Sequence, residues 1–201
     1  MCYPTLYSYV VDHDDGHAPN PYFGLCTLCR CKFRARKFHL GRRLPRNVVE
    51  LAEKGDWVVG TGGSDPHKSA RRGNLVYAMR VDDKLSREQY YADSRFTRKK
   101  PLENGTPAQM LGDNLRPTND FEKHEQFALI SRHFYYFGAT VIRIPDRFLE
   151  LEKKGRGFKK RFPVAFVARF VAWLEKNHKP GKHGEPCHRK AQRSGTCKSS
   201  C

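Results

Sequence analysis

The sequence predicts an α+β domain with helices flanking a sheet and an amphipathic helix near the C-terminus. Two runs rich in β-branched, aromatic and other apolar residues, 57–59 and 75–81, are typical of buried strands and are separated by a polar loop. Further aromatic runs on either side of them read as additional strands. Residues 163–177 repeat apolar side chains at helical spacing after a proline, which predicts the amphipathic helix.

The first third of the chain alternates between regular elements and loops. Residues 6–12 alternate aromatic and β-branched side chains, as a strand does. Residues 13–23 are expected to form a loop, because prolines and clustered Asp, Gly and Asn residues do not continue a ladder. Residues 25–38 fit either an edge strand or a short helix. Residues 46–54 are predicted to be helical between a proline and a glycine.

The elements after residues 75–81 are predicted from helix caps, from residues that break helices and strands, and from apolar periodicity. Ser86 is the expected N-cap of a short helix, and residues 95–117 read as a long polar loop of the kind that often carries function. Residues 148–153 are expected to form a helical turn. The remaining strands are expected at residues 127–130, 134–137 and 140–144.

The chain is expected to hold one domain, residues 1–180, followed by a basic tail, residues 181–201. The tail has few apolar residues to bury, so we expect it to be disordered and dispensable for folding. No apolar run reaches the length of a membrane span, and residues 1–11 lack the pattern of a secretory signal. A cytoplasmic location is therefore the default expectation. The seven cysteines are an odd number, which argues against a disulfide framework.

The formal charge of +17 indicates a polyanionic partner, most often nucleic acid. Residues 30–46 contain eight basic residues and no acidic one, and further basic clusters occur at 153–161 and in the tail. A solvated basic surface is the alternative interpretation; clustering favours nucleic-acid contact. The residues expected to contact the nucleic-acid backbone are Arg30, Lys32, Arg34, Arg36, Arg42 and Arg43.

Several stretches together resemble the type-2 nucleotide modification associated domain of bacteria and phages. The likeness covers about residues 6–145, and this chain differs by an insertion at 38–51. The stretches that carry it are Tyr7-Ser8-Tyr9-Val10-Val11, Ala18-Pro19-Asn20-Pro21, Cys26-Thr27-Leu28-Cys29-Arg30-Cys31-Lys32, residues 55–62, residues 75–81 and residues 134–138. The resemblance implies a role beside enzymes that alter DNA bases or nucleotides, and it carries no catalytic residue to this sequence.

The chain also resembles, more weakly, the PUA-like readers of modified bases, which include EVE and YTH domains. The matching order is Gly55-Asp56-Trp57-Val58, then residues 75–81, then Tyr90-Tyr91-Ala92-Asp93. This likeness implies a small PUA-like mixed β-barrel that holds a base in an aromatic-walled pocket. Because it rests on order and spacing, it bears on the fold more directly than on function.

A base-binding pocket needs flat aromatic faces together with donors and acceptors for the base edge. We expect the loop 14–27, the strand end 60–64 and the pair Tyr135 and Tyr136 to converge on one cavity, where glycines leave room for a ring. For any single aromatic residue, core packing is the alternative. The expected base-binding residues are Asn20, Thr27, Trp57, Thr61, Ser64, Tyr135 and Tyr136.

Catalysis is a separate hypothesis. His13 and Asp14 belong to a polar cluster at a strand end, where a carboxylate and an imidazole can act as base and acid. Cys26 is a candidate nucleophile if Arg30 lowers its pKa. His–Asp groupings also occur in ordinary solvated loops, so these three residues are candidates only.

Cysteine spacing raises the possibility of structural zinc. Free thiols are the favoured interpretation, since the pairing is unlike a common zinc finger, and no metal or other cofactor is expected. The residues that would have to form such a site are Cys26, Cys29, Cys31, His39, Cys187, His188, Cys197 and Cys201.

The sequence thus predicts a protein that binds nucleic acid, DNA in preference to RNA, or a nucleotide, and that recognises a base, modified or not, in a modification or phage-defence setting. An enzyme that modifies a base or nucleotide through His13, Asp14 or Cys26 is the alternative. A plain structural partner protein is a third. A deep pocket with an Asp–His contact favours the enzyme, and a shallow basic groove favours binding alone.

Overall fold

The computed structural model describes residues 3–29, 38–39, 42–43, 47–64, 72–100, 127–155 and 157–187. Its strands are β1 (Leu6–Val11), β2 (Cys26–Leu28), β3 (Phe38–His39), β4 (Arg42–Arg43), β5 (Trp57–Gly62), β6 (Asn74–Arg80), β7 (Asp83–Ser86), β8 (Phe127–Ser131), β9 (Phe134–Tyr136), β10 (Ile142–Arg143), β11 (Phe158–Lys159) and β12 (Gly181–Lys182). Its helices are α1 (Val48–Leu51), α2 (Arg87–Ala92) and α3 (Val164–Asn177), with 3-10 turns at Ser94–Phe96, Gly138–Thr140 and Asp146–Leu151. The α+β class is confirmed.

Seven strands form one mixed sheet, which we call the large sheet. Its order is β11-β1-β5-β6-β9-β12, and β10 also pairs with β6. The pairs β1–β5 and β9–β12 are parallel, and the other pairs are antiparallel. In β5, a Cβ on Gly60 would lie 2.4 Å from the Tyr77 ring, so this glycine makes room for a core tyrosine of the neighbouring strand.

A second sheet, the small sheet, has the order β2-β8-β7. Two chain segments pass from one sheet to the other: β6 continues into β7, and β8 continues into β9. The ladder is carried across this bend by bonds from Arg80 N to the His133 carbonyl at 3.0 Å and from Asp82 N to the Ile130 carbonyl at 2.8 Å. The Asp82 carboxylate also accepts from the Arg132 amide at 2.6 Å, which fixes the bend.

The predicted barrel is not closed among the described residues. On the side of β2 away from β8, the described ladder holds a single bridge, Asn20 to Thr27. The segment that supplies Asn20 contains Pro19 and Pro21, which have no N–H to donate, so it cannot run as a closing strand. The two sheets therefore enclose a core between them without closing into a barrel.

The large sheet has two buried faces. One packs against α3, and we call it the α3 face; its core includes Trp57, Tyr135, Phe170 and Leu174. The other, the inner face, points towards the small sheet and α1, and its core is rich in tyrosine: Tyr7, Tyr9, Tyr77 and Tyr136. A third cluster lies where α2 and its following turn cover the outer side of the small sheet.

Local sequence explains most element boundaries. Helix α3 follows Pro163 and buries Phe166, Val167, Phe170 and Leu174 on one side, which confirms the amphipathic prediction. Helix α2 has the expected cap at Ser86. The predicted helix 46–54 is shorter, because Asn47 caps it and the backbone is already extended at Ala52.

The predicted boundary after residue 180 falls within a packed segment. Residues 181–182 form β12 beside β9, and the His183 amide donates to the Tyr136 carbonyl at 2.7 Å. Backbone pairing holds these residues even though they have few apolar side chains. Residues 188–201 lie outside the described residues. Within the described part of the chain, no helix has both the length and the apolar character needed to span a membrane.

Candidate functional site

The loop of residues 12–25, which follows β1, is tied to the small sheet by a buried lysine. The Lys99 ammonium donates to the Asn20 carbonyl at 2.8 Å and to Asn20 Oδ1 at 3.0 Å. It also donates to the Leu25 carbonyl at 2.8 Å and to Thr27 Oγ1 at 3.3 Å. Since Asn20 and Thr27 exchange two backbone bonds of 2.9 Å, the loop tip between them is held at a fixed position.

The loop tip presents two aromatic rings, each close to a cation. Phe23 has a φ of 61° and is 37% exposed. A bulky residue in the left-handed region is strained by roughly 1–3 kcal/mol, and such strain clusters at binding sites. The Arg98 guanidinium lies 3.7 Å from the centre of the Phe23 ring, and Lys182 Nζ lies 5.0 Å from the centre of the Tyr22 ring.

A cleft of about 390 Å³ opens at this tip, and we call it the Tyr22–Phe23 cleft. Its lining combines apolar, aromatic and basic groups. The lining residues are Pro21, Tyr22, Phe23, Gly24, Arg132, Phe134, Pro180, Gly181 and Lys182. A second cleft of about 540 Å³ shares Arg132 and Pro180 with it, so the two clefts are neighbours.

The arginines around the second cleft differ in their partners. Arg80 pairs with Asp82 at 3.0 Å, and Arg95 pairs with Asp93 at 2.6 Å. The Arg132 guanidinium, which borders both clefts, has no acceptor among the residues that the structure describes. Arg132 is therefore available to bind an anion entering either cleft.

Tyr22 also belongs to a buried polar group, which we call the Asp14 cluster: Asp14, Tyr22, Cys26 and Tyr136. Asp14 is 3% exposed, and Tyr136 OH donates to its Oδ1 at 2.5 Å. Tyr22 and Cys26 both interact electrostatically with Asp14. Since Tyr22 lines the cleft as well, the cluster connects the cleft to the inner face of the large sheet.

The position of Asp14 changes its acidity. Burial raises the pKa of Asp14 to about 6; the hydrogen bond from Tyr136 opposes this rise, and the neighbouring Asp15 adds to it. Backbone interactions with Cys187 and Gly16 also lower the pKa. Burial, followed by the charge of Asp14, raises the pKa of the Tyr136 phenol well above its ordinary value. Asp14 therefore changes protonation close to neutral pH while Tyr136 remains a donor.

Residues 181–187 cover the Asp14 cluster. Glu185 Oε2 accepts from Tyr22 OH at 3.4 Å, and Glu185 pairs with Lys182. Cys187 is buried, and its backbone interacts with the Asp14 carboxylate. The segment thus contacts both the cleft and the buried acid.

The predicted catalytic residues occupy different surroundings. His13 is exposed, whereas Asp14 and Cys26 are both buried in the cluster. Burial raises the pKa of Cys26 to about 12. The charge of Lys99 lowers this pKa, and the charge of Asp14 raises it. This direction is opposite to the one that a nucleophilic cysteine requires. Arg30, expected to activate Cys26, lies outside the described residues.

The predicted aromatic base-binding residues are divided between the two faces. Trp57 and Tyr135 pack on the α3 face, and the Tyr135 hydroxyl lies 3.1 Å from His133 Nε2. Tyr136 lies on the inner face. Successive residues of a strand point to opposite faces, so Tyr135 and Tyr136 do not line one surface.

The predicted polar base-binding residues are also distributed. Asn20 and Thr27 bind Lys99. Thr61 is buried in β5 and donates to the Tyr9 carbonyl at 3.3 Å, and Ser64 is exposed beyond the end of that strand. None of the seven predicted residues lines either of the two clefts described above.

The predicted basic block lies mostly outside the described residues. Arg30, Lys32, Arg34 and Arg36 are not described, and Arg42 and Arg43 form β4, whose backbone pairs with β3.

Within the described residues, no group of three or more His, Cys, Asp and Glu side chains is placed to hold a metal ion. Cys26 belongs to the inner core and Cys29 to the cluster under α2, so these two thiols face opposite sides of the small sheet. The other residues considered for zinc are not described, apart from the backbone of His39 and the buried Cys187.

Sequence reasoning missed the aromatic and basic residues that line the cleft, namely Tyr22, Phe23, Arg132 and Lys182. They come from three distant parts of the chain, and each looks ordinary locally. The one available signal was the Tyr22-Phe23-Gly24 triplet at a loop tip, since exposed adjacent aromatics need a reason.

Comparison with known proteins adds one finding. The family model for nucleotide modification associated domain 2 matches residues 3–127 and 115–193. Together these two matches cover most of the chain. Searches of curated proteins and of solved structures returned no match.

Proposed function

This chain belongs to the nucleotide modification associated domain 2 family, and we propose that it binds a nucleotide, free or within DNA, in the Tyr22–Phe23 cleft. The family is associated with nucleotide modification, so a nucleotide-related partner is expected. The chain would act as a reader that recognises a base, modified or not, within a DNA-modification or phage-defence system.

The observation that carries this proposal is the composition of the cleft. A nucleotide offers a flat aromatic base and a negatively charged phosphate. Tyr22 and Phe23 offer ring faces to the base, and Arg132 and Lys182 offer positive charge to the phosphate. Stacking of a base on an aromatic side chain contributes about 1–3 kcal/mol and tolerates any base. The net charge of +17 would attract the polyanion from a distance.

The strained conformation of Phe23 supports the same role. Its ring stays partly exposed although burial would be more favourable, and its backbone is held in the left-handed region. Lys99 binds the residues on both sides of the loop tip, Asn20 and Leu25, so the ring is presented before any ligand arrives. A preorganised ring loses little entropy on binding, which favours affinity.

The test is the affinity of the full chain for the four deoxynucleoside 5′-monophosphates and for a 12-nucleotide single strand. Phe23→Ala should weaken binding of every nucleotide about tenfold, because stacking does not depend on base identity. The matched control is Leu149→Ala, which removes another apolar side chain of similar exposure, 40%, on the 3-10 turn Asp146–Leu151. Equal affinity in the Phe23→Ala variant, or no binding by the wild-type chain, would contradict the proposal.

An enzyme is the second candidate, and one observation favours it. Asp14 has a pKa raised to about 6 by burial, which suits a general acid or base. The same incubations distinguish the two functions, because mass spectrometry of the recovered nucleotides reports any covalent change. A nucleotide recovered unchanged, also in the presence of metal ions and common cosubstrates, supports a reader.

A further inference from the structure

Two buried oxygen atoms on the inner side of the small sheet lack hydrogen-bond partners. Asp14 Oδ2 and Ser131 Oγ are both inaccessible, and neither has a partner of good geometry among the described residues. The other Asp14 oxygen accepts from Tyr136, and the backbone of Cys187 and of Gly16 also interacts with the carboxylate. Oδ2 is the carboxylate oxygen without a partner of good geometry among the described residues. Buried polar atoms are nearly always paired in native proteins, so an unpaired acceptor of this kind has the capacity for a further polar partner.

The two orphan atoms belong to one neighbourhood. Cys26 lies directly opposite Ser131 in the β2–β8 register, and residues so paired project to the same face of a sheet. Cys26 also interacts electrostatically with Asp14. Cys26, the residue between them, is a protonated thiol and offers no strong acceptor.

This neighbourhood adjoins the Tyr22–Phe23 cleft. Phe134 lines the cleft and packs in the inner core together with Tyr136. Tyr22 lines the cleft and interacts electrostatically with Asp14. Tyr22 is thus the lining residue that interacts with the acid, and its hydroxyl donates one long bond of 3.4 Å to Glu185. A bond of that length is weak, so it opposes little movement of the ring.

We propose that Asp14 is the specificity-determining residue of this site, and that its Oδ2 accepts a hydrogen bond from the exocyclic amino group of a base held in the cleft. The inference rests on the proposed function and deepens it, because stacking alone cannot tell one base from another. The ligand class is a nucleotide whose base carries its amino group at the purine C6 or the pyrimidine C4 position, as adenine and cytosine do.

The chemistry of a carboxylate explains the choice. An ionised carboxylate only accepts, so it bonds an amino group and repels a carbonyl oxygen or an unprotonated ring nitrogen at the same place. Sites that hydrogen-bond a substrate group discriminate strongly against an analogue without it, because the buried partner is then left unpaired. Ser131 Oγ can both donate and accept, so it fits a second polar atom of the same base edge.

The experiment compares nucleotides that differ only in the amino group. Affinities of the full chain at pH 7.5 are measured for deoxyadenosine 5′-monophosphate against purine deoxyriboside 5′-monophosphate. The pyrimidine pair is deoxycytidine 5′-monophosphate against 2-pyrimidinone deoxyriboside 5′-monophosphate. In at least one pair the amino nucleotide should bind about tenfold tighter or more. Asp14→Asn should bring that ratio close to one, since an amide placed with its NH₂ at the Oδ2 position donates where the carboxylate accepted.

The control is Asp15→Asn, which removes the same charge one residue away and should keep the ratio. Ratios of one in both wild-type pairs would overturn the inference while leaving the proposed function standing, and this outcome does not depend on any variant folding. A ratio unchanged by Asp14→Asn in a folded protein would also overturn it. Absence of binding by all four nucleotides would overturn the proposed function and the inference with it.

Discussion

The two faces of the large sheet are built from the same strands and differ in chemistry. On the α3 face, side chains such as Val59, Leu75 and Phe170 form an apolar cluster, and its polar contact, from the Tyr135 hydroxyl to His133, involves a partly exposed histidine. On the inner face, tyrosine hydroxyls make directed bonds: Tyr9 and Tyr77 share one of 2.7 Å, and Tyr136 donates to Asp14. The inner face also holds the orphan oxygen of Asp14.

The difference between the two faces indicates which one stabilises the fold and which one recognises a ligand. Close apolar packing stabilises a fold and specifies little about ligands. A buried carboxylate without full pairing costs free energy, so it is retained where it has another task. We therefore infer that the α3 face supports the sheet and that the inner face, next to the cleft, carries the selectivity of the domain.

The largest expected effect comes from the α3 face. Phe170 is fully buried, and its ring lies 5.6 Å from that of Phe148 and 5.9 Å from that of Trp173. Phe170→Ala should lower the free energy of unfolding by about 3–5 kcal/mol, because it removes buried area and leaves a cavity. Urea denaturation measures this change. The nucleotide affinity of the remaining folded protein should be unchanged.

The neighbouring residue provides the control for that variant. Arg169 is exposed on the same helix, and Arg169→Ala should change the free energy of unfolding by less than about 0.5 kcal/mol. If Phe170→Ala weakened nucleotide binding at conditions where the protein is fully folded, the assignment of separate roles to the two faces would fail.

Sequence reasoning located the α3 face well and the inner face poorly, for a physical reason. Helix α3 and strands β5 and β6 follow from local periodicity and breakers, which a sequence displays directly. Asp14 was also identifiable, as an acid following a strand. The Lys99 contacts to Asn20 join residues 79 positions apart, and no local pattern encodes such a contact.

Two errors of interpretation are instructive. Tyr135 and Tyr136 were expected to line one cavity, although strand alternation alone places neighbours on opposite faces. Residues 181–187 were expected to be disordered because they have few apolar side chains. Their order comes from backbone contact: a Cβ on Gly184 would lie 2.1 Å from the Phe137 carbonyl oxygen, so only glycine permits this approach.

A truncation tests the part of the inner face that this segment covers. Ending the chain after Pro180 removes the bonds from Ala139 N to the Glu185 carbonyl and from His183 N to the Tyr136 carbonyl, both 2.7 Å. It also removes the burial of Cys187. The free energy of unfolding should fall by about 3 kcal/mol, since each lost bond contributes about 1 kcal/mol and buried groups become exposed.

The matched control ends the chain after Cys187 and keeps every described contact of the segment. Its unfolding curve in urea should superimpose closely on that of the full chain. Equal stability of the two truncated chains would mean that residues 181–187 contribute nothing to the inner face, and the role given to their backbone contacts would be wrong.

The smallest expected effect is the dependence of stability on pH through Asp14. Its pKa is raised to about 6 by burial in the folded protein, whereas an unfolded aspartate titrates near 4. Between these values the folded state binds more protons, so the stabilising contribution is fully present below pH 4 and is lost as the pH rises through 6. Groups facing the carboxylate are Tyr136, Tyr22, Asp15 and Cys26.

The measurable consequence is a difference between two proteins, which cancels the titration of all other groups. On going from pH 7.5 to pH 5, the free energy of unfolding of the wild type should rise relative to that of Asp14→Asn by about 1 kcal/mol. The amide side chain of the Asp14→Asn variant does not titrate, so the stability of this variant has no such dependence on pH. If the two proteins responded identically to pH, Asp14 would have an ordinary pKa. The contrast between an inner face with a buried, titrating acid and an apolar α3 face would then lose its electrostatic basis.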